Sequence, residues 1–166
     1  MPTQTDLKYN FRIEVYPSDI ETVREICVST GFFREDEIPV AVSLVEERLS
    51  QGKASGYEFI FLEIDGKTVA YCNFGLIPCS LLSYDLYWIV THNDYRGKGL
   101  GSILLKETEN QIAKMGGKAV YIETSSKEYY LPTQRFYEKN AYDLKARFTD
   151  FYDYGDDKMV YVKNVK

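Results

Sequence analysis

Two periods of apolar spacing, near 2 and near 3.6 residues, alternate along this 166-residue chain and predict its elements in order. Phe11–Val15 alternates and predicts a short first strand. Pro17-Ser18-Asp19-Ile20-Glu21 opens a helix, with Ser18 and Glu21 at capping-box spacing. Ile20, Val23, Ile26 and Cys27 share one face of it, and Gly31 ends it. A second helix is predicted over Pro39–Ser50, with Val42, Val45 and Leu49 on one side. Tyr57–Ile64 and Thr68–Leu76 read as strands joined by the hairpin dipeptide Asp65-Gly66. After a loop containing Pro78 comes an apolar strand, Tyr84–Thr91. A long helix is predicted over Leu100–Met115, with Leu100, Ile103, Leu104, Ile112 and Met115 spaced to pack on a sheet. Gly116-Gly117 stops it. The continuous apolar run of Ala119–Thr124 predicts a strand buried on both faces. The strand–helix–strand unit implies a right-handed crossover between parallel strands. A short helix, Thr133–Asn140, precedes an antiparallel pair, Leu144–Phe151 and Lys158–Val165, joined by the acidic turn Asp153–Asp157. The order is strand, two helices, three strands, helix, strand, helix, two strands. It predicts an α/β (α+β mixed) sheet and not a doubly wound one.

No linker, repeat or low-complexity segment divides the chain, so one domain over residues 1–166 is expected. Hydrophobic residues make up 45% and charged residues 27%, which places the chain among globular proteins. No apolar run approaches the ~20 residues of a membrane span. Met1–Asn10 lacks a basic-then-apolar leader pattern. Cys27, Cys72 and Cys79 are odd in number and without metal-ligand spacing, so neither a disulfide framework nor a metal site is expected. The expected location is cytoplasmic. A net charge of -5 argues against nucleic acid as the main partner. It is compatible with a cationic substrate such as an amine, and equally with an ordinary acidic surface.

Arg96-Gly97-Lys98-Gly99-Leu100-Gly101 stands between the strand Tyr84–Thr91 and the long helix. Glycines there let the backbone approach a bound group closely. The helix start directs unpaired N–H groups and about half a positive charge at the same spot. Amides at Gly97, Gly99, Gly101 and Ser102 can hold a phosphate without side chains, while Arg96 and Lys98 add positive charge. The plainer alternative is a turn with no ligand, but a turn needs only one or two such residues. A dinucleotide fingerprint is a second alternative, with Glu123 placed as a ribose-binding acid. The stretch misses the third glycine of that pattern, and too little chain follows it.

The stretch Arg96–Gly101 matches the Arg/Gln-x-x-Gly-x-Gly/Ala motif of the GNAT superfamily of N-acetyltransferases. Phe136-Tyr137-Glu138-Lys139-Asn140-Ala141-Tyr142 resembles that superfamily's later Phe/Leu-Tyr-x-Lys-x-Gly-Phe/Tyr motif. Two departures are Ala141, where the superfamily usually has glycine, and Tyr130, where it often has a cofactor-binding asparagine. The resemblance implies a mixed, mostly antiparallel sheet of six to seven strands with about four helices on its two faces. It implies acetyl-CoA as co-substrate, no metal, and a parallel strand pair splayed at the cofactor cleft. Ile89, Val90 and Thr91 would pair with the pantetheine arm, since strand groups left unpaired inside a protein must find partners. Arg96, Gly97, Lys98, Gly99, Leu100, Gly101 and Ser102 would hold the diphosphate. The acceptor would be a small-molecule amine or a peptide N-terminus, and a homodimer is implied on the same ground.

Acetyl transfer needs a neutral amine. A lysine-like amine of pKa ~10.4 costs about 4.6 kcal/mol to deprotonate at pH 7. A base must take that proton, directly or through water. Asp85 and Glu123 are the two candidates. Asp85 lies at the offset of the catalytic glutamate of histone acetyltransferases, and Glu123 resembles the base of bacterial ribosomal-protein N-terminal acetyltransferases. Each is otherwise a strand-end acid with a structural role. Tyr137 matches the tyrosine that protonates the departing thiolate, and a phenol of pKa ~10 is a donor at pH 7. His92 reads as a turn residue, Cys79 as inert, and Asp150, Asp153, Asp156 and Asp157 as a solvated hairpin end. Tyr129, Tyr130 and Tyr152 are candidates to border the acceptor. The rival outside catalysis is an acyl-CoA-binding sensor module of the same fold.

Overall fold

The computed structural model describes residues 7–166, so most of Met1–Asn10 lies outside it. Its elements are β1 (Asn10–Arg12), α1 (Asp19–Ser29), α2 (Ile38–Gln51), β2 (Glu58–Ile64), β3 (Lys67–Leu76), β4 (Ser83–Thr91), α3 (Leu100–Lys114), β5 (Ala119–Ser125), α4 (Leu131–Lys139), β6 (Asp143–Asp153) and β7 (Asp156–Asn164). The hydrogen-bonded strand order is β1-β2-β3-β4-β5-β7-β6. This is a mixed α/β fold, with β4 and β5 parallel and the other described pairs antiparallel. None of the described helices is long and apolar enough to cross a membrane.

The chain forms two compact units. The first comprises the described residues up to Gly75 together with Trp88–Thr108. Its core is Val23, Ile26 and Cys27 of α1, Ala41, Val42 and Val45 of α2, and Phe59, Phe61, Tyr71 and Val90 of the strands. The β2–β3 hairpin turns at Asp65 (φ 51°) and Gly66 (φ 76°), the paired positive φ that a two-residue hairpin requires.

Two expectations are corrected in this unit. The first strand stops at Arg12 instead of running to Val15, and the capping box at Ser18 does not form. Both follow from Arg12. Its guanidinium binds both oxygens of Asp19 (2.8 and 2.9 Å) and reaches Glu63 (3.3 Å). It also takes up the Glu14 carbonyl and lies 4.3 Å above the Phe61 ring. Asp19, buried, accepts the Tyr16 amide as well. The segment is thereby folded onto α1, and Ser18 adopts helical φ/ψ that withholds its hydroxyl from the cap.

The second unit comprises Leu76–Tyr87 and Glu109–Lys166. β5 lies against β7 over Ala119↔Asn164 to Ser125↔Lys158. Parallel pairing with β4 covers Ser83↔Ala119, Tyr84↔Val120 and Asp85↔Tyr121, and within this unit it goes no further. Two more expectations change. Met115 lies just past the end of α3 and is exposed, because the helix stops at Lys114. β5 is buried on both faces at its two ends, while Glu123 between them is exposed. Gly117 is locked by close packing: a Cβ there would lie 2.4 Å from Ile112 Cγ2. Buried Glu109 accepts from Tyr142 (3.0 Å) and pairs with Lys163 (2.9 Å), tying the end of α3 to β7.

α4 ends in a Schellman turn. The Tyr142 amide donates to Tyr137 O (3.0 Å) and the Ala141 amide to Glu138 O (3.1 Å). The Tyr137 and Tyr142 rings meet edge-on at 6.0 Å, the apolar contact that accompanies this motif. The left-handed position is Ala141, at φ 68°. An L side chain there is strained by about 1 kcal/mol. We therefore expect Ala141→Gly to raise the urea midpoint, by the equivalent of about 0.5 kcal/mol after glycine's own entropy cost. An unchanged or lower midpoint would show that the strain is absent.

Candidate active site

Within the first unit, the glycine turn follows a short helical turn at Asn93–Tyr95. Gly97 and Gly99 both have φ 77°, a conformation that L side chains rarely adopt. Backbone hydrogen bonding leads up to the turn with Tyr95 N to His92 O (2.9 Å) and resumes after it with Ile103 N to Gly99 O (3.2 Å). The amides of Gly97, Lys98, Gly99, Leu100 and Gly101 donate none of these bonds. Open space faces Gly97, and Arg96, Gly97 and Lys98 are exposed. Successive N–H groups in such a loop form an anion-binding concavity, reinforced by the start of the 15-residue α3. The turn therefore fits a diphosphate. On β4, Val90 is a core residue, while Ile89 and Thr91 are half-buried. His92 is a turn residue: its Nδ1 accepts the Asp94 amide at 3.1 Å.

Within the second unit, the register places Asp85 and Glu123 on one face of the sheet. Asp85 is level with Tyr121, and Glu123 lies two residues farther along β5. Burial, followed by the neighbouring Glu123 charge, pushes the Asp85 carboxyl up to about 6, against a smaller opposing pull from Lys158. Glu123 is half-exposed and paired with Lys158 at 2.9 Å. Tyr152 borders the same group: burial, then Glu123 and Asp156, push its phenol up to about 12. Asp156 in turn accepts from Ser125. Tyr137 keeps different company, packed among Phe136, Tyr142 and Tyr161. Burial raises its phenol well above the ordinary tyrosine value, so it holds its proton at neutral pH.

A family model for the GNAT acetyltransferases matches residues 21–142. The chain belongs to the GNAT acetyltransferase family. A crystal structure of a protein assigned to the GNAT family from Desulfovibrio desulfuricans is 39% identical. It covers 96% of this chain and 100% of its own, with a TM-score of 0.94. The ribosomal-protein-S18-alanine N-acetyltransferase of Escherichia coli shares the fold at 16% identity, with 96% and 95% of the two chains covered and a TM-score of 0.74. The yncA protein of Salmonella typhimurium, solved with acetyl-CoA, does so at 16% identity, with 95% and 94% covered and a TM-score of 0.71. No curated protein sequence matches this chain.

For this GNAT protein, the sequence-derived residues fall into two sets. Ile89, Val90, Thr91 and Arg96–Ser102 belong to the first unit; Asp85, Glu123 and Tyr137 belong to the second. The structure brings Asp85 and Glu123 together, and adds Lys158, which the sequence reading passed over. Its signal was weak, because a lysine at the start of an edge-side strand normally faces water. The Tyr129 and Tyr130 rings meet at a tilt, with centroids 4.7 Å apart, and Cys79 is exposed.

A carboxyl whose folded value lies above its unfolded one destabilises the fold once ionised. For Asp85 the penalty is absent below pH ~4 and complete above about 6. Discounted for its half-exposed position, the penalty is about 1 kcal/mol. Asp85→Asn is expected to raise unfolding stability by that amount at pH 8 and to leave it unchanged at pH 4. Equal effects at the two pH values would contradict the assigned shift.

Proposed function

We propose that the chain is an acyl-CoA-dependent N-acetyltransferase, acting as one domain over residues 1–166, that passes an acetyl group directly to a primary amine. The acceptor is a small molecule or a peptide α-amine, and the setting is the cytoplasm. A homodimer, with no membrane or nucleic-acid partner, completes the reading. One observation carries it: the run of backbone amides at residues 97–101 that donate no backbone hydrogen bond among the described residues, in a turn with open space at Gly97.

Bound acetyl-CoA supplies an activated acetyl thioester. The amides around Gly97–Ser102, with Arg96 and Lys98, hold the diphosphate in an otherwise acidic protein, and Ile89, Val90 and Thr91 align the pantetheine arm. A carboxylate of the Asp85–Glu123 pair removes the proton that a protonated acceptor carries. Tyr137, protonated at neutral pH, donates to the departing sulfur and is reprotonated by the proton that the attacking nitrogen sheds as it becomes an amide. No side-chain nucleophile is required, because a neutral amine attacks a thioester unaided once the two are aligned.

Two measurements test this. Acetyl-CoA should raise the melting temperature, and thiol release should appear with some member of a panel of amines and peptides. Binding without turnover across the panel would favour the sensor reading, and no binding would end both. Tyr137→Phe is expected to lower kcat by ~10²-fold with little change in acetyl-CoA affinity. Full turnover in that variant would remove Tyr137 from the chemistry.

A further inference from the structure

Lys158 is an unusual ion-pair partner. Its side chain is only 16% exposed, although the carboxylate it pairs with, Glu123, is 49% exposed. A lysine normally keeps its ammonium in water, so its enclosure needs a cause. The cause lies in β6. Phe148 pairs with Lys158 and Asp153 with Asp156, so the segment between them on β6 carries more residues than its partner does. The excess forms a bulge, with Asp150 at φ 52°. Asp157 holds the bulge by accepting the Asp150 amide (2.9 Å) and the Arg147 guanidinium (2.7 Å). Phe151, at its crest, lies 4.2 Å from the Lys158 ammonium, ring face toward the charge. Lys158 is thus clamped between an aromatic ring and Glu123.

The sheet register gives the clamp its reach. Asp85 opposes Tyr121, Glu123 lies two residues on, and Ser125 opposes Lys158. Side chains at that spacing share a face, so Asp85, Glu123 and Lys158 lie side by side across β4, β5 and β7. The groups acting on Asp85 in this unit are Glu123, which disfavours its ionisation, and Lys158, which favours it. Glu123 and Asp156 in turn raise the phenol of Tyr152, which borders the pair.

We propose that Lys158 is a positioning residue that engages Glu123 in a fixed ion pair and leaves Asp85 as the carboxylate that takes the acceptor's proton. This rests on the acetyltransferase reading above and settles the roles of its two acids. An acid already held by a lysine is a poor destination for another proton. Among the described residues Asp85 has no ion-pair contact of its own, and it titrates close to neutral pH, where a base works best.

The test is the pH dependence of kcat/KM, read beside a direct carbon-13 NMR titration of the Asp85 carboxyl. Lys158→Met withdraws the positive charge, so the acid limb and the Asp85 midpoint should both move up, by ~0.5 pH unit or more. Lys158→Arg should restore the wild-type profile, which a merely structural role would not require. Should Lys158→Met fail to fold, Phe151→Leu loosens the clamp at an exposed position and should shift both readouts in the same direction. Asp85→Asn should lose ~10²-fold or more in kcat, and Glu123→Gln distinctly less. The proposal is overturned if neither clamp variant moves the Asp85 midpoint, or if Glu123→Gln is the more damaging change. A wild-type protein without turnover on any amine would instead defeat the acetyltransferase reading, and the NMR titration would then decide alone whether Lys158 governs Asp85.

Discussion

An acidic protein that binds a polyanion must supply positive potential locally, and in the function proposed here the backbone supplies it. With a net charge of -5, long-range electrostatics repel a nucleotide thioester. The turn at Gly97–Gly101 answers with N–H groups that no other part of the described chain uses. Positive φ at Gly97 and Gly99 shapes the turn that carries them, and α3 adds its dipole. The apolar core of the first unit, from Val23 to Val90, gives that turn a rigid base. Without those amides the family resemblance would have no chemical content.

The second unit meets a different constraint. It gathers two carboxylates and a lysine on one sheet face, where burial alone would neutralise an acid. Asp85 bears most of that burden, with burial as the larger cause and Glu123 as the smaller. In the proposed mechanism that raised value has a use, since a base that titrates close to neutral pH can accept a proton and return it. Two other buried carboxylates are each answered by a cation: Glu109 has Lys163 as well as Tyr142, and Asp19 has Arg12.

Much of this was legible in the sequence, for identifiable reasons. Asp65-Gly66 and the periodic run from Leu100 gave element boundaries because their local chemistry matches their final environment. The glycine turn was legible because a positive φ there favours glycine. What escaped was decided by distant partners. Ser18 looked like a cap until Arg12, itself anchored on distant Glu63, took Asp19. Glu123 looked buried because a run of apolar neighbours hides the point where the parallel pairing stops. Lys158 carried no signal, since the bulge that encloses it comes from a mismatch between β6 and β7 that neither strand shows alone. Ala141 was visible as a departure from the motif, but its left-handed backbone was not.

The central claim is that main-chain amides at the glycine turn receive the diphosphate of an acyl-CoA. Titrating the labelled protein with coenzyme A while following amide resonances tests it most directly. The account predicts large, saturable shifts at Gly97, Lys98, Gly99, Leu100 and Gly101, reproduced at least in part by adenosine diphosphate. Saturable binding of coenzyme A that leaves those five amides in place would contradict it.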